Sequence, residues 1–569
     1  MIIKNIGILL ILYIPLTIAS PVNFNESLPS PTVNEGSNNL RNSEREINRL
    51  IEERRHQEMI NRSRRYSTKE SLANLKGDKK CLPISGVYLQ GISLLSSSDL
   101  KKLSAISNNC ITSNNINRLT SEIINLYVQK GYVTARVKLV PPDYEKKLGI
   151  HVIEGFIEDI RGGSRWVNSQ TLFPGLKNMP LNIHQLDQGL DQANRLQSNK
   201  TTLDILPGTI NGGSIIFLNN KHSSPWKVSL TTDNYGQKNT GKWVGRVNTS
   251  FDSPLGLSDF VSLSGSSTLK KGQSKYNRSY IFLYSLPYGQ STFSTFYVGS
   301  KYHHQQKSNY RKSRFLNIHG DAQQSGVRAD WAFRRNQTQI DTLRTQFIYK
   351  KGDNYLNDEK IIVNSESISL VSLNLNHFQV IPTGFFSIDV GIDKGVPWFN
   401  PQTAMDKRFI KGLMSINLQN KFKLFDSSYL LNSQLSMQYS RDPLPAMECF
   451  SITDKNSIRG FNESFLCDDN GWYLRNTLSY PLPIAIPQGY LVLNIGGDLG
   501  QTKTYENKNK NKYEYKYEWI NAVGMSAGFS LSYKQLFADI QVGSGKVFPR
   551  QYEKLNNPIQ ILVRISYGF

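Results

Sequence analysis

From Trp226 onward, apolar and polar positions alternate with a period of two, in segments separated by Gly, Asn, Asp and Pro. "WKVSLTTDN", "GRVNTSFDS", "SYIFLYSL", "GFFSIDVGID" and "NAVGMSAGFSLSY" are examples. That period belongs to β-strands whose two faces meet different surroundings. In the last segment Ile559, Ile561, Val563, Ile565, Tyr567 and Phe569 point one way, against Gln560, Arg564, Ser566 and Gly568, with Leu562 the one apolar intruder. A soluble sandwich also alternates. Three features tilt the choice to a membrane barrel: a final segment running to an aromatic at Phe569, aromatics near segment ends as an interfacial girdle requires, and polar faces too rich in Lys, Asn, Ser and Thr for a dry second layer. Roughly 340 residues, at about ten per strand plus turns and loops, make about sixteen antiparallel strands.

Upstream, between Cys81 and about Asn220, the pattern becomes two successive units of strand, helices and two strands. In the first, "PISGVYLQG" reads as a strand, and "TSNNINRLTSEIINLYVQKG" as a helix with Ile116, Leu119, Ile123, Ile124 and Tyr127 on one face. Gly131 stands where a left-handed cap would end that helix. In the second, "IHQLDQGLDQANRLQ" supplies a helix on Leu186, Leu190, Ala193 and Leu196. Further upstream, residues 42–65, "NSEREINRLIEERRHQEMINRSRR", form a helix that is polar almost all round. It reads either as a solvated linker helix or as a helix lodged in an aqueous lumen. Residues 21 to about 39 are rich in Ser, Asn and Pro and read as disordered. The start, with Lys4 before "IGILLILYIPL" and "TIAS", reads as a signal peptide cleaved after Ala19 or Ser20.

Composition sharpens this picture. Only 38% of the 569 residues are hydrophobic, and past the signal no stretch of about eighteen apolar residues occurs. The formal charge of +22 is scattered over loops and alternate positions, so nucleic acid is not expected; a basic surface suits anionic lipid headgroups. Four cysteines in an exported chain can pair in three ways, and proximity favours Cys81 with Cys110 and Cys449 with Cys467, against free buried thiols. No catalytic constellation holds together: H-E-x-x-H, G-x-x-x-x-G-K-[ST] and C-x-x-C are absent, so no enzyme, cofactor or metal is expected. "GSGK" at 543–546 reads as a turn, and adjacent His303 and His304 face opposite ways. Asp187 and Asp191 lie one helical turn apart with no basic companion in view, and read as solvated.

Several motifs in order carry a resemblance: "GYVTARVKL" followed by "GIHVIEGFIEDI", "LDQGLDQANRLQSN" with "ILPG", "TGKWVGRVNTSFDSPLGLSDFVSL", and "SIRGF" with "GWYLRNTLSYPLP" behind it. The chain resembles the outer-membrane transporters of two-partner secretion, the ShlB/FhaC/HecB group that includes haemolysin activators and contact-dependent inhibition transporters. The resemblance implies a mostly β protein with small α+β domains: an antiparallel transmembrane barrel of about sixteen strands, preceded by a plug helix and two periplasmic POTRA domains. The expected layout is a signal peptide at 1–20, a disordered lead at 21–80 with the plug helix at about 42–65, POTRA domains at 81–155 and 156–222, and a barrel at 223–569 with an inward-folded loop at about 445–470. The implied activity is export of one large β-helical exoprotein of the TpsA type (haemolysin, adhesin or contact-dependent toxin) across the bacterial outer membrane without ATP. The POTRA domains would catch that partner, with Leu186, Leu190 and Arg195 as candidate contacts. Lipid and lipopolysaccharide would surround a monomeric barrel. The alternative function is a barrel-assembly insertase of the same superfamily, which lacks "LDQGLDQANRLQSN"; a passive porin would have no reason for two periplasmic domains.

The resemblance also gives the inward loop a latch. Arg459, followed by Gly460 and Phe461, would pair with the aspartate of an F-x-D-x-G motif, here Asp498 and Gly500 in "LVLNIGGDLG". Alternation independently puts Leu491, Leu493, Ile495 and Leu499 on the lipid side, and Val492, Asn494, Gly496, Asp498 and Gly500 in the lumen. Gly496 stands where that motif has phenylalanine, a departure that leaves room for a guanidinium. A Cys449–Cys467 bond would staple the base of the loop, and Cys81–Cys110 would tie the first strand region of the first POTRA domain to its main helix.

Overall fold

The computed structural model describes residues 35–63, 81–101, 103, 110–269, 274–307, 315–362, 365–403, 405–461, 466–507, 515–548 and 559–569. The expected signal peptide lies outside these residues, as do residues 21–34 and 64–80 of the expected lead, while residues 35–39, expected to be disordered, are helical. The first element is a long helix, α1 (Glu35–Ser63). It starts earlier than its apolar stripe suggests, because tertiary partners hold a first turn of poor intrinsic propensity: the Glu35 carboxylate accepts from Thr240 Oγ1 at 3.1 Å and Asn277 Nδ2 at 3.3 Å.

Two small α/β units follow. The first comprises β1 (Gly86–Gln90), α2 (Ser97–Leu100), α3 (Ser113–Gln129), β2 (Arg136–Val140) and β3 (Lys147–Ile153), in sheet order β1-β3-β2 with β1 parallel to β3. Thr112 and Asn115 form a reciprocal capping box that starts α3, and Gly131, at φ +93°, ends it in the left-handed region. Leu119, Ile123 and Tyr127 of α3 pack on Ile150 and Val152, each such buried side chain contributing about 1.5–3 kcal/mol. A disulfide joins Cys81 to Cys110. Glu154 ties the unit together, accepting from the amides of Ser93 and Leu94, both at 2.8 Å, and from the hydroxyls of Ser93 and Tyr127. Burial pushes its pKa up, but these four donors prevail and hold it below the ordinary glutamate value.

The second unit comprises β4 (Phe156–Gly162), α4 (Ser169–Leu172), α5 (Ile183–Asn194), β5 (Asn199–Pro207) and β6 (Gly213–His222), in order β4-β6-β5 with β4 parallel to β6. The two units cap one another. The free carbonyls at the end of α3 receive donors from the start of α5: Asn182 Nδ2 to the Lys130 carbonyl at 3.0 Å and the Ile183 amide to the Gly131 carbonyl at 2.9 Å.

The remainder is a closed antiparallel barrel of sixteen strands. Its first half runs β7 (Trp226–Asp233), β8 (Val244–Asp252), β9 (Phe260–Thr268), β10 (Lys275–Tyr288), β11 (Ser291–Lys307), β12 (Phe315–Arg335), β13 (Gln339–Leu356), the two-residue β14 (Glu359–Lys360) beside it, and β15 (Glu366–Ile381). Then come β16 (Gly384–Val396), β17 (Ile410–Leu424), β18 (Ser427–Ser440), a short β19 (Phe450–Ser451) and β20 (Cys467–Asp468) outside the ladder, β21 (Asn470–Pro481), β22 (Gly489–Asn507), β23 (Tyr515–Tyr533), β24 (Leu536–Phe548) and β25 (Gln560–Gly568). The ring closes where β25 pairs with β7, Arg564 opposite Asp233 and Gly568 opposite Ser229. Closure leaves no strand edge to meet hydrocarbon, which is what lets strands cross a membrane.

The alternation sorts as its period predicts. Ile561, Ile565, Tyr567, Leu373, Leu375, Ile540 and Val542 are exposed on the outside, while Arg328, Asp330, Lys350, Asp393 and Lys411 are buried inside. Helix α1 occupies the lumen. Leu40, Ile47 and Ile51 pack on Phe260, Leu283, Phe296, Val298 and Leu370 of the wall, and the Arg54 guanidinium stacks 3.7 Å over the Phe260 ring.

Candidate functional site

The segment between β18 and β21 turns into the lumen. At its base β19 pairs with β20, and a disulfide joins Cys449 to Cys467. Asp454 organises the turn by accepting from the amides of Asn456 and Ser457, both at 2.6 Å. Beyond it Ile452, Ile458 and Phe461 are fully buried against Tyr473, Ile520, Ala522 and Val547 of the wall, so the loop has an apolar seat as well as polar ties.

Arg459 sits at the tip and Asp498 on β22 receives it. The guanidinium donates from Nε to Asp498 Oδ2 at 2.8 Å and from Nη2 to Oδ1 at 2.5 Å, and the Arg459 amide donates to Oδ2 at 2.8 Å. Nη1 adds Thr477 Oγ1 at 3.0 Å, and Nη2 also reaches the Asn476 carbonyl. Side-chain exposure is 3% for Arg459 and 0% for Asp498, which puts the pair in the occluded regime. There, losing one partner costs about 3–5 kcal/mol, against about 0–1 for a solvated pair.

Backbone and space permit this approach only because glycine recurs. Gly460 has φ +92°, and a Cβ on it would lie 2.2 Å from the carbonyl carbon of Ser544. A Cβ on Gly496 would lie 2.2 Å from Arg459 Cζ, so the departure from the F-x-D-x-G pattern is the space the guanidinium fills. Gly524 admits the Arg459 carbonyl, Gly500 lies against Ile458, and the Phe461 ring rests on Gly545. The "GSGK" segment is therefore not a turn: it lies within β24, where glycine flattens the strand beneath the loop tip. Gly524 and Gly545 gave no signal in sequence beyond being glycines on alternating strands.

Charge as well as apolar packing holds α1 in the lumen. Arg45 pairs with Asp454 of the loop at 3.0 Å, and Arg344 of β13 with Glu52 at 2.5 Å. Lys350 of β13 bridges Glu44 of α1 at 3.0 Å and Glu448 of the loop at 2.8 Å, and Lys411 of β17 adds Glu448 at 2.7 Å. Arg55 reaches Asp330 at 3.2 Å, and Arg54 reaches Asp252 at 3.4 Å. The apparently polar helix is one whose charges are complemented by the wall. Around it remains a lumenal cavity of 1910 Å³. Among the described residues no group of three or more His, Cys, Asp or Glu is placed to hold a metal ion.

Residues 212–531 match the family model of haemolysin secretion/activation proteins ShlB/FhaC/HecB, residues 82–155 the ShlB-type POTRA domain, and residues 156–207 a POTRA domain. The hemolysin transporter protein ShlB of Serratia marcescens is 45% identical over 535 residues, 93% of either chain. The chain belongs to the ShlB/FhaC/HecB family. The hemolysin transporter protein HpmB of Proteus mirabilis is 43% identical over 97% of both chains. A solved structure of CdiB from Escherichia coli superposes with a TM-score of 0.81 at 25% identity, covering 96% of this chain and 100% of that one. The protein is thus an outer-membrane transporter of two-partner secretion, with two POTRA domains before its barrel.

In this transporter the candidate partner contacts on the second POTRA domain need correction. Leu186 is fully buried in that domain's own core and Leu190 is buried too, because the apolar face of α5 is what the small domain folds around. Arg195 faces the barrel, donating to Ser285 Oγ at 2.7 Å and to the Ser258 carbonyl at 3.3 Å. Asp187 and Asp191 do have a basic companion. Arg335, at the end of β12, reaches Asp191 from Nε at 2.9 Å and Asp187 from Nη1 at 3.4 Å. Together with Gln192 Nε2 to Thr292 Oγ1 at 2.8 Å, these contacts dock α5 on the barrel rim.

Proposed function

We propose that this transporter captures one large TpsA-type exoprotein through its POTRA domains and exports it through the barrel without ATP, with Arg459 and Asp498 latching the loop while the pore is idle. The observation that carries the reading is the occupation of the lumen by two linked parts, α1 and the inward loop, each held to the wall by paired charges and hydrogen bonds. The pairs that border the lumenal cavity can exchange for water, while the occluded Arg459–Asp498 pair and the apolar seats of helix and loop hold the closed state. Capture fits strand addition at the sheet edges: among the described residues β2, with Leu139 exposed, and β5, with Leu206 exposed, each have no strand neighbour on one side. Folding of the exported chain outside supplies direction, since a folded helix of strands cannot slide back. The relatives' names make a haemolysin the first partner to try.

The test is reconstitution. The full-length protein in liposomes, given an unfolded haemolysin carrying its N-terminal secretion segment and no nucleotide, should move that chain to a protease-protected side. Import that needs ATP, or that survives removal of residues 81–207, would refute the reading.

A further inference from the structure

A second cavity, of 340 Å³, lies beside the loop tip, between the loop, β21, β24 and β25. Four cations line it: Arg459, which is paired with Asp498, and three others, Lys455 from the loop, Arg475 from β21 and Arg564 from β25. Lys455 Nζ and the Arg564 guanidinium share one aromatic ring, lying 5.1 Å and 4.6 Å from the centroid of Tyr235. None of the three has a carboxylate at ion-pair distance among the described residues. Lys455 donates to the Tyr235 carbonyl at 3.2 Å. Arg475 donates to the carbonyls of Lys455 and Ser457, at 2.7 and 3.0 Å. Arg564 Nε is buried and has no acceptor among the described residues. Arg344, Lys350 and Lys411 elsewhere in the lumen each meet at least one carboxylate, whereas Arg41 and Arg195 are singly placed cations held by neutral acceptors.

One acid borders the cavity. Asp539 accepts from Ser530 Oγ at 2.7 Å and Tyr235 Oη at 3.4 Å, and against three cations it leaves a net excess of positive charge. Clustering like charges in a partly dry enclosure is unfavourable, and stacking on one ring offsets only about 0.5–2 kcal/mol per cation. Guanidinium forks match tetrahedral oxyanions in geometry as well as charge. We propose that this cavity binds a phosphate-class oxyanion, held between Lys455 of the inward loop and Arg475 and Arg564 of the barrel wall. The bound ion ties the loop to the closing strand β25, a second tie independent of Asp498.

Equilibrium dialysis of radiolabelled inorganic phosphate against the full-length protein in detergent, at constant ionic strength set with chloride, tests the proposal. Saturable binding is expected, weakened about tenfold or more by Arg475→Gln or Arg564→Gln. Arg475→Lys should retain more of it, and Arg334→Gln, on an exposed side chain, should leave it unchanged. The heat-dependent gel migration of a closed barrel checks that each variant is folded. Absence of saturable binding in the wild type, or equal weakening by Arg334→Gln, overturns the site. Lipid A added as a competitor distinguishes the source: undiminished phosphate binding supports a free ion, and displacement overturns that assignment in favour of a lipid phosphate.

Discussion

Gly496→Ala is a one-methyl perturbation of the loop seat. The new Cβ would stand 2.2 Å from Arg459 Cζ and 2.3 and 2.4 Å from its two terminal nitrogens. Carbon atoms in contact settle at about 3.5–4.0 Å, so the guanidinium must retreat by about 1.3 Å or more. Its bonds of 2.8 and 2.5 Å to Asp498 then stretch towards about 4 Å, outside hydrogen-bonding range. The Arg459 amide keeps its own bond to Asp498, so the loss belongs at the lower end for breaking a buried pair, about 3 kcal/mol. That raises the unlatched population about a hundredfold. Planar-bilayer recording should show a matching rise in the frequency of open events. The neighbouring Gly497 is the control, since a Cβ there meets nothing within 4 Å, and Gly497→Ala should behave as wild type. Equal conductance from the two alanine variants would refute the reasoning.

Removing Lys350, the bridge between Glu44 and Glu448, should loosen α1 and increase basal conductance, more so at low than at high salt, because salt already weakens the pairs that Lys350 makes in the wild type. Arg45→Ala combined with Gly496→Ala should give non-additive effects on opening, because Arg45 holds the loop through Asp454; additivity in a double-mutant cycle would separate plug from loop. Reduction of Cys449–Cys467, which closes a loop at a sequence separation of 18, should release about 3 kcal/mol of chain-entropy stabilisation and raise loop exchange by mass-detected deuterium uptake. Glu154 has a depressed pKa, so its stabilisation is complete above the unfolded glutamate value of about 4.3 and is lost as pH falls through the lower folded value. Exchange of the Ser93 and Leu94 amides should therefore accelerate below that range in the wild type and be fast already at neutral pH in Glu154→Gln.

Much of the architecture is legible because a barrel wall gives each strand two opposite environments, and alternation records them residue by residue. The same parity puts Asp498 inward without any knowledge of its partner. What escapes a reading along the chain is complementarity across it. Arg45 and Asp454 are 409 positions apart, and Arg335 is 144 from Asp191, so neither the plug's charges nor the acid pair on α5 reveals its counterpart locally. Leu186 and Leu190 misled for a related reason: an amphipathic face marks burial, and a domain this small must spend that face on its own core. Gly496 was visible as a departure, but its meaning needed the position of the Arg459 guanidinium.

The two closures are not independent parts. Lys350 places the plug's Glu44 and the loop's Glu448 on one ammonium, Asp454 shapes the loop turn and receives the plug's Arg45, and Asn456 Nδ2 donates to Asn42 at 3.0 Å. If α1 left the lumen, Asp454 would keep its backbone donors but lose its counter-charge, and Glu448 would keep Lys350 and Lys411, so the loop would be weakened without being abandoned. Linkage makes the coupling mutual: loop release lowers the free energy of plug exit by the same amount by which plug exit lowers that of loop release. A lumen closed by two apolar plugs would have to expel each against its own desolvation. Under the proposed opening, charges shared between α1, loop and wall would let water entering at one point weaken the contacts at all three.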